Sequence, residues 1–260
     1  VGVGAMISLG SVIQSVRAAL MKESKGITAA DLLISADRPY SDNARYIMDE
    51  KLGKHGVDFD RDGRRDIWHS VPDALASAAQ QLVNKGWQPG VRWACSVKAP
   101  ANADCTMGVP EVTKPIAEWL RAGFVPVRGQ RLSAAEQAQP ASLLQVEGIY
   151  GPAFLTTKNY FVIKEYNFSD LYVLFVGHLA DRMVSPQPFV TPWSASTQLR
   201  SADVEAMQRH LTRIGLYKDK LDGKAGMQTR AALGAYQKSA GLKVDCWPSE
   251  AVLRSISSAR

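Results

Sequence analysis

The segment from Asp58 to Trp68 reads DFDRDGRRDIW and carries side chains that suit a hard metal ion. Its aspartates stand at alternate positions, Asp58, Asp60 and Asp62, and a glycine follows them. Carboxylate oxygens at this spacing, a glycine for the sharp bend and the main-chain carbonyl of Arg64 match the first seven positions of an EF-hand loop. The pattern predicts a calcium site, although Asp/Gly turns without a metal are also common in loops.

The twelfth position of this loop departs from the EF-hand pattern. It holds His69, where a bidentate glutamate is usual. An imidazole is a poor ligand for a hard cation. The nearest later carboxylate is Asp73, at the start of a predicted helix. We therefore expect Asp73 either to cap that helix or to close the calcium site.

A second group of residues has the chemistry of a sugar-binding surface. Tyr166, Asn167, Ser169 and Tyr172 form the pattern Tyr-Asn-x-Ser-x-x-Tyr. Aromatic faces combined with amide and hydroxyl groups can stack on a sugar ring and bond its hydroxyls. A buried helix with polar caps would show the same residue types, and the pattern alone favours that interpretation.

The elements that position these residues are mostly helical. Apolar residues at helical spacing predict amphipathic helices over Leu9–Leu20 and Asp73–Lys85, each followed by a glycine. The strongly apolar segment Asn159–Met183 predicts further helix. Residues 86–151 are rich in proline and glycine, which indicates loops, short helices and a small hairpin.

The segment SPQPFVTPWSAST divides the chain. Its prolines and small hydroxyl residues are typical of a linker, so we place domains at 1–184 and 198–260, with the linker at 185–197. Beyond it, Ser201 can cap a first helix that ends at Gly215. A second helix is predicted up to Gly241, and a third over Ser249–Ile256. The fold class is mainly α.

Composition narrows the set of partners. The 260 residues are 46% hydrophobic, which suits one medium domain and one small one. A formal net charge of +6 fits an anionic wall polymer as well as nucleic acid. Because the basic residues are scattered and no basic run alternates with aromatics, we expect no nucleic-acid binding. No apolar run reaches the roughly eighteen residues of a membrane span, so no span is expected in this chain.

The three cysteines do not by themselves determine a disulfide pattern or a metal site. Cys95 and Cys105 are close enough in sequence to close a small loop in an oxidising compartment, which would leave Cys246 unpaired. None of these cysteines has a spacing typical of zinc ligands.

The C-terminal segment VEAMQRHLTRIGLYKDKLDGKAGMQTRAALGAYQKSAGL strongly resembles the small three-helix peptidoglycan-binding domain that is often joined to wall-degrading enzymes. One departure is Cys246, where that family usually has glycine after an aspartate. The resemblance implies binding of wall peptide or glycan in a groove between helices. The matching positions are Gln208, Leu211, Gly215, Asp222, Gly223, Gly226, Thr229, Ala232, Tyr236, Gln237, Gly241 and Leu242.

The segments VDFDRDGRRDIWHSVPDALASAAQQLVNKGWQPGVRW and GPAFLTTKNYFVIKEYNFSDLYVLFVGHLADRM resemble the membrane-bound lytic transglycosylase B family. The resemblance implies a lysozyme-like α-helical domain with an EF-hand-like calcium site closed by a later aspartate, here Asp73. It also implies that Tyr166, Asn167, Ser169 and Tyr172 contact glycan. Enzymes of that family cleave between N-acetylmuramic acid and N-acetylglucosamine to 1,6-anhydro products, with one glutamate as acid and then base.

The amino-terminal part departs from this family. Its glutamate motif and its glycine-rich cleft motif are both missing, and ISADRPYSDNARYIMDEKLGKHG stands where the cleft motif should be. Counting back places the family's glutamate before Val1. Within the chain, Glu23 in MKESKG is the best candidate for a catalytic acid, because similar families carry a Glu-Ser pair. Glu50 and Glu165 have no motif around them.

These patterns predict a peptidoglycan-binding protein of the bacterial periplasm, derived from a lytic transglycosylase and impaired in catalysis as written. The alternative is an active lytic murein transglycosylase. A third option is that the charged segment before Val57 binds a protein partner, although ordinary sequence drift explains it as well.

Overall fold

A computed structural model describes residues 56–258, except residues 68, 130, 186–187, 192 and 194–198. The predictions for Leu9–Leu20, Glu23 and Glu50 lie outside the described residues. The described helices are α1 (Val71–Asn84), α2 (Ile116–Arg121), α3 (Ala134–Ala138), α4 (Lys158–Asn167), α5 (Asp170–Val184), α6 (Ser201–Arg213), α7 (Met227–Ser239) and α8 (Glu250–Ser258). The described strands are β1 (Ala94–Lys98), β2 (Thr113–Pro115), β3 (Val125–Pro126), β4 (Pro140–Ile149) and β5 (Ala153–Thr156).

Helix α1 confirms the helix predicted after the aspartate-rich loop. Its N-cap is Ser70, whose hydroxyl accepts a hydrogen bond from the N–H of Asp73 at 3.3 Å. The helix ends before Gly86, which has a φ of 90° and so takes a backbone conformation that favours glycine. Asp73 therefore does not cap this helix, and its carboxylate is available for other contacts.

The segment predicted to hold loops and a small hairpin forms a five-stranded sheet in the order β2-β4-β5-β1-β3, with antiparallel pairing throughout. The hairpin of β4 and β5 lies at its centre, with Leu143 opposite Leu155 and Leu144 opposite Phe154. The prediction of a small hairpin was too limited, because the sheet has five strands and its strand β4 is buried on both faces. A strand of that kind reads as a continuous apolar run and lacks the alternation that marks a half-exposed strand.

Each face of the sheet carries its own core. Leu143 and Leu155 pack with Trp119 of α2 on one face. Leu144 and Phe154 face the other way, toward α4 and α5. Successive strand residues point to opposite faces, so the hairpin contributes to both cores at once.

Helices α4 and α5 confirm the helix predicted over Asn159–Met183, with a break in its middle. Phe168 has a φ of 57° and ends α4, and its N–H donates to the carbonyl of Lys164. Ser169 then caps α5. The two helices contact each other across this break.

The C-terminal helices α6, α7 and α8 surround a separate core that includes Met207, Leu211 and Leu233. Helix α6 begins at Ser201 with Arg200 at the N-cap and no side-chain capping bond, so the predicted Ser201 cap was wrong. Met227, at the start of α7, packs in the core shared by the sheet, α4 and α5. The C-terminal domain is thus docked on the sheet domain within one compact unit, His55–Arg260.

The predicted mainly α fold class is confirmed in part. The described residues form helices as expected, and they also form a five-stranded sheet that the fold class did not include. Among the helices of the described residues, none is both long and apolar enough to cross a membrane.

Candidate functional site

The predicted sugar-binding residues meet at the turn between α4 and α5. Tyr166 lies in the last turn of α4 and Tyr172 in the first turn of α5, and their rings stack with centroids 5.9 Å apart and planes 13° apart. Tyr166 is 64% exposed, whereas Tyr172 is half-buried. Burial, together with the neighbouring Tyr166 hydroxyl, raises the pKa of Tyr172, so the phenol of Tyr172 is neutral at physiological pH.

Ser169 has a structural task in this turn. Its hydroxyl accepts a hydrogen bond from the N–H of Tyr172 at 3.4 Å and so caps α5. The side chain of Asn167 lies outside the described part of the chain. The structure thus brings Tyr166 and Tyr172 together and fixes the second of them through Ser169.

Further exposed apolar side chains flank the tyrosine pair in sequence. We call the whole set the aromatic patch: Tyr166, Phe168, Leu171, Tyr172 and Phe175. Phe168 is 79% exposed, Leu171 is 62% exposed and Phe175 is 50% exposed. Helical spacing puts the α5 members on one face of that helix. Sequence reasoning missed Phe168 and Phe175, because apolar residues in an apolar helix are expected to be buried.

The carboxylate nearest this turn in sequence, Asp170, is closed off from solvent. It is 8% exposed, and its oxygens accept hydrogen bonds from the Tyr160 hydroxyl at 2.6 Å, from Lys164 at 2.6 Å and from Arg230 at 2.9 Å. Burial alone would raise the pKa of Asp170, but the charges of Arg230 and Lys164 outweigh it and lower that pKa to about 2. Asp170 is therefore ionised at neutral pH and has no proton to give as a general acid.

Glu165 is the other carboxylate of this helix pair near the patch. It forms an ion pair with Lys85 at 2.9 Å and is partly exposed. The structure gives it no contact with Tyr166 or Tyr172 that would place it as the catalytic acid. Glu23, the acid favoured by sequence, lies outside the described residues.

The aspartate-rich loop brings its three alternate carboxylates together. Ligand oxygens of Asp58, Asp60 and Asp62 all lie within 4.8 Å of one another. Gly63 has a φ of 87°, and its N–H donates to Asp58 at 3.0 Å, while the N–H of Arg64 donates to Asp62 at 2.8 Å. One oxygen of Asp58, Oδ1, is buried and has no hydrogen-bond partner within the described residues.

Asp73 lies beneath this loop and is outside the group of three. Its Oδ1 accepts a hydrogen bond from the N–H of Phe59 at 2.7 Å, and its Oδ2 accepts one from the N–H of Asp66 at 2.9 Å. Burial raises the pKa of Asp73, but these main-chain bonds outweigh burial and lower it. His69 points away and contacts Asp66 at 2.9 Å with most of its ring exposed. Asp73 therefore holds the loop backbone, and its part as a closing ligand stays a prediction.

In the C-terminal domain, the residues that carry the resemblance stabilise turns. The amide nitrogen of Gln208 donates to Asp222 at 3.1 Å and to Thr229 at 3.0 Å, and its oxygen accepts from the N–H of Gly223 at 2.9 Å. Gln237 does the same for the main-chain N–H groups of residues 245 and 246. A groove of about 390 Å³ lies between α6 and α8 and is lined by Leu199, Arg200, Asp203, Glu250, Leu253 and Arg254.

The cysteines pair differently from the expectation. Cys105 and Cys246 form a disulfide with Cα atoms 6.0 Å apart, and Cys95 is free and buried. The sequence could not show this, because the two partners are 141 residues apart and meet only when the C-terminal domain docks on the sheet domain. Cys246 has a φ of 54°, in the region that favours glycine, which agrees with the glycine usual at that position in the related domains.

Comparisons with known proteins agree with this architecture. Residues 47–181 match the family model of the transglycosylase SLT domain, and residues 200–256 match that of the putative peptidoglycan-binding domain. SltB3 from Pseudomonas aeruginosa in complex with NAG-anhNAM-pentapeptide is 36% identical, with a TM-score of 0.71 over 80% of this chain and 56% of that one. Its complex with NAG-NAM-pentapeptide gives a TM-score of 0.70 over the same shares of the two chains.

More distant neighbours include Slt35 from Escherichia coli in complex with calcium, at 25% identity and a TM-score of 0.39 over 53% of this chain and 43% of that one. No curated protein matches the sequence. The chain spans 56% of the length of SltB3. The match to the first family model covers more than half of the chain, so this protein belongs to the SLT transglycosylase domain family and carries a C-terminal peptidoglycan-binding domain.

Proposed function

We propose that this chain binds the glycan of peptidoglycan through the aromatic patch and does not cleave it. The observation that carries the proposal is the exposed, stacked pair of Tyr166 and Tyr172. Flat aromatic faces pack against the C–H faces of sugar rings, and phenol hydroxyls bond sugar hydroxyls at the same time. Asp170 and Glu165, the carboxylates of this helix pair nearest the tyrosines, are both engaged in ion pairs.

The ligands bound by SltB3 support the choice of substrate class. That protein was crystallised with NAG-NAM-pentapeptide and with NAG-anhNAM-pentapeptide. Both are fragments of an alternating amino-sugar glycan with a peptide stem. For this chain we propose the same class of ligand, with the glycan on the aromatic patch.

The C-terminal domain adds a second contact with the wall. Its groove between α6 and α8 is lined by Leu199 and Leu253 and by the ion pairs Arg200–Asp203 and Arg254–Glu250. Such a groove suits a peptide stem that carries both carboxylate and ammonium groups. Because one compact unit carries both surfaces, binding at one raises the effective concentration of the wall at the other.

Pelleting with purified sacculi tests the binding proposal. We expect Tyr166→Ala and Tyr172→Ala each to weaken apparent affinity about fivefold to tenfold, since a lost aromatic contact costs about 1 kcal/mol. Phe59→Ala is a matched control, because Phe59 is equally exposed but lies on the aspartate-rich loop. Equal pelleting of the tyrosine variants and the unsubstituted chain would contradict the proposal.

The alternative is an active lytic murein transglycosylase that cuts between N-acetylmuramic acid and N-acetylglucosamine. Family membership favours it, and the single glutamate that such an enzyme needs would be Glu23 or a residue of a longer polypeptide. Release of 1,6-anhydromuropeptides that stops with Glu23→Gln would establish this alternative.

We further propose that Asp58, Asp60, Asp62 and the carbonyl of Arg64 hold a structural calcium ion. The residues fit the ion, because three carboxylates converge and one buried oxygen of Asp58 has no hydrogen-bond partner among the described residues. Bound calcium would neutralise the mutual repulsion of these carboxylates and fix the loop against α1.

We place the protein in the periplasm of a bacterium, with attachment to the envelope through the wall itself. The disulfide between Cys105 and Cys246 supports this placement, because such bonds persist in oxidising compartments. Cell fractionation followed by thiol labelling checks it, and a reduced protein in the cytosolic fraction would contradict it.

A further inference from the structure

Arg230 of helix α7 reaches from the C-terminal domain into the sheet domain. It is 7% exposed on its side chain and donates to Asp170 Oδ2 at 2.9 Å. Its other terminal nitrogen donates to the carbonyl of Ala225 at 2.5 Å and reaches the carbonyl of Val146 in β4 at 3.5 Å. The guanidinium is thus held by its own domain while it binds a carboxylate of the other.

The carboxylate that Arg230 binds lies within the sugar-binding turn. Asp170 follows Ser169, the cap of α5, and precedes Tyr172 by two residues. Its other oxygen binds Lys164, two residues before Tyr166. One buried carboxylate therefore ties the end of α4 to the start of α5, and Arg230 is one of the two cations that balance its charge.

Helix α7 is itself fixed along its length. Gly234 leaves no room for a side chain, because a Cβ there would lie 2.4 Å from the Sγ of Cys246 and 2.7 Å from the Cγ2 of Thr106. Near its C-terminal end, Lys238 forms an ion pair with Asp104 at 2.7 Å. With the disulfide nearby, these contacts hold α7 in one position, so Arg230 meets Asp170 in a defined geometry.

We propose that Arg230 is a positioning residue for glycan binding, and that the peptidoglycan-binding domain thereby forms part of the glycan site on the sheet domain. Arg230 acts through Asp170, which sets the relative positions of the helix ends that carry Tyr166 and Tyr172. The proposal rests on the proposed function of the aromatic patch. Under this proposal, α7 supports the glycan site of the sheet domain through Arg230. This role is separate from any direct contact between the C-terminal domain and the wall.

Arg230→Met tests the proposal, because methionine fills much of the same space without charge. We expect it to displace the ring signals of Tyr166 and Tyr172 in aromatic NMR spectra and to weaken sacculus pelleting about fivefold to tenfold. In the Arg230→Met background, Tyr166→Ala should then cost less than twofold, because the pair is already displaced. Arg209→Met is the matched control, since Arg209 is exposed on α6 of the same domain and, among the described residues, its ion pair is with Glu205 of its own helix.

The conservative variant Arg230→Lys separates positioning from general stability. Lysine keeps a positive charge beside Asp170 but loses the hydrogen bonds that Arg230 donates to the carbonyls of Ala225 and Val146. We therefore expect smaller ring shifts than in Arg230→Met and an affinity within about threefold of the unsubstituted chain. If Arg230→Met does not fold, ring shifts in Arg230→Gln, which removes the charge and keeps an amide donor, carry the test, and unshifted rings in that variant would overturn the proposal.

Two results would contradict positioning directly. Unchanged tyrosine signals and unchanged pelleting in a folded Arg230→Met variant would overturn it. Independent losses, in which Arg230→Met and Tyr166→Ala multiply, would also overturn it. If Tyr166→Ala alone does not weaken pelleting, the proposed function fails, while the ring shifts in Arg230→Met still report whether Arg230 positions the tyrosines.

Discussion

Loss of the disulfide between Cys105 and Cys246 should destabilise the chain strongly. The bond closes a loop with a sequence separation of 141, which runs through the sheet domain, the linker and most of the C-terminal domain. Closing a loop of that length removes conformational entropy from the unfolded chain worth about 5 kcal/mol at 25 °C. For a folded unit of this size, that loss lowers the melting temperature by about 10–20 °C.

The experiment compares the oxidised chain, the reduced chain and the double variant Cys105→Ser/Cys246→Ser by thermal unfolding followed with circular dichroism. The reduced chain and the double variant should melt at similar, lower temperatures. A reductant added to the double variant is the control, and it should leave the melting temperature unchanged because the remaining Cys95 is a free, buried thiol. A melting temperature that reduction shifts by less than about 2 °C would refute the reasoning.

Three further predictions follow from the charges and buried groups of the structure. Asp170, with its pKa lowered to about 2, stabilises the fold above about pH 4, and this contribution of about 2 kcal/mol is lost as the pH falls toward 2. Guanidinium unfolding at pH 5 and pH 2.5 should show that loss in the unsubstituted chain and not in Asp170→Asn; equal pH dependence would contradict it. Burial raises the pKa of Cys95 to about 11, so iodoacetamide at pH 8 should label Cys95 only after unfolding, and rapid labelling of the native chain, seen by mass spectrometry, would be the opposite result. Calcium should raise the melting temperature of the unsubstituted chain and leave that of Asp60→Ala unchanged; a melt that ignores calcium would mean that the loop is only a turn.

Local patterns predicted the longer helices. The apolar spacing and the glycine after α1 predicted a helix over Asp73–Lys85, which the structure places at Val71–Asn84, with Ser70 as its cap. The motif Tyr-Asn-x-Ser-x-x-Tyr drew attention to Tyr166 and Tyr172, whose stacking is a finding of the structure. Each of these features depends on residues close in sequence. Hydrogen bonds and side-chain spacing within one or two turns of helix therefore suffice to specify them.

Features that depend on distant contacts could not be predicted in this way. A small hairpin was predicted, but the five-stranded sheet around it was missed, because β4 is covered on both faces and its apolar run lacks alternation. The disulfide of Cys246 and the contact of Arg230 with Asp170 exist only because the C-terminal domain docks on the sheet. A linker rich in proline and serine suggested two independent domains, and the sequence carries no local signal for the interface that joins them.

The central claim is that the chain binds the wall and leaves it intact. The most direct measurement incubates the chain with purified sacculi, pellets them, and analyses the same tube for bound protein and for soluble 1,6-anhydromuropeptides by mass spectrometry. We expect the protein in the pellet, reduced amounts of it for Tyr166→Ala, and no anhydro product in the supernatant. Anhydro products that accumulate with time would contradict the claim, and their loss with Glu23→Gln would identify the acid.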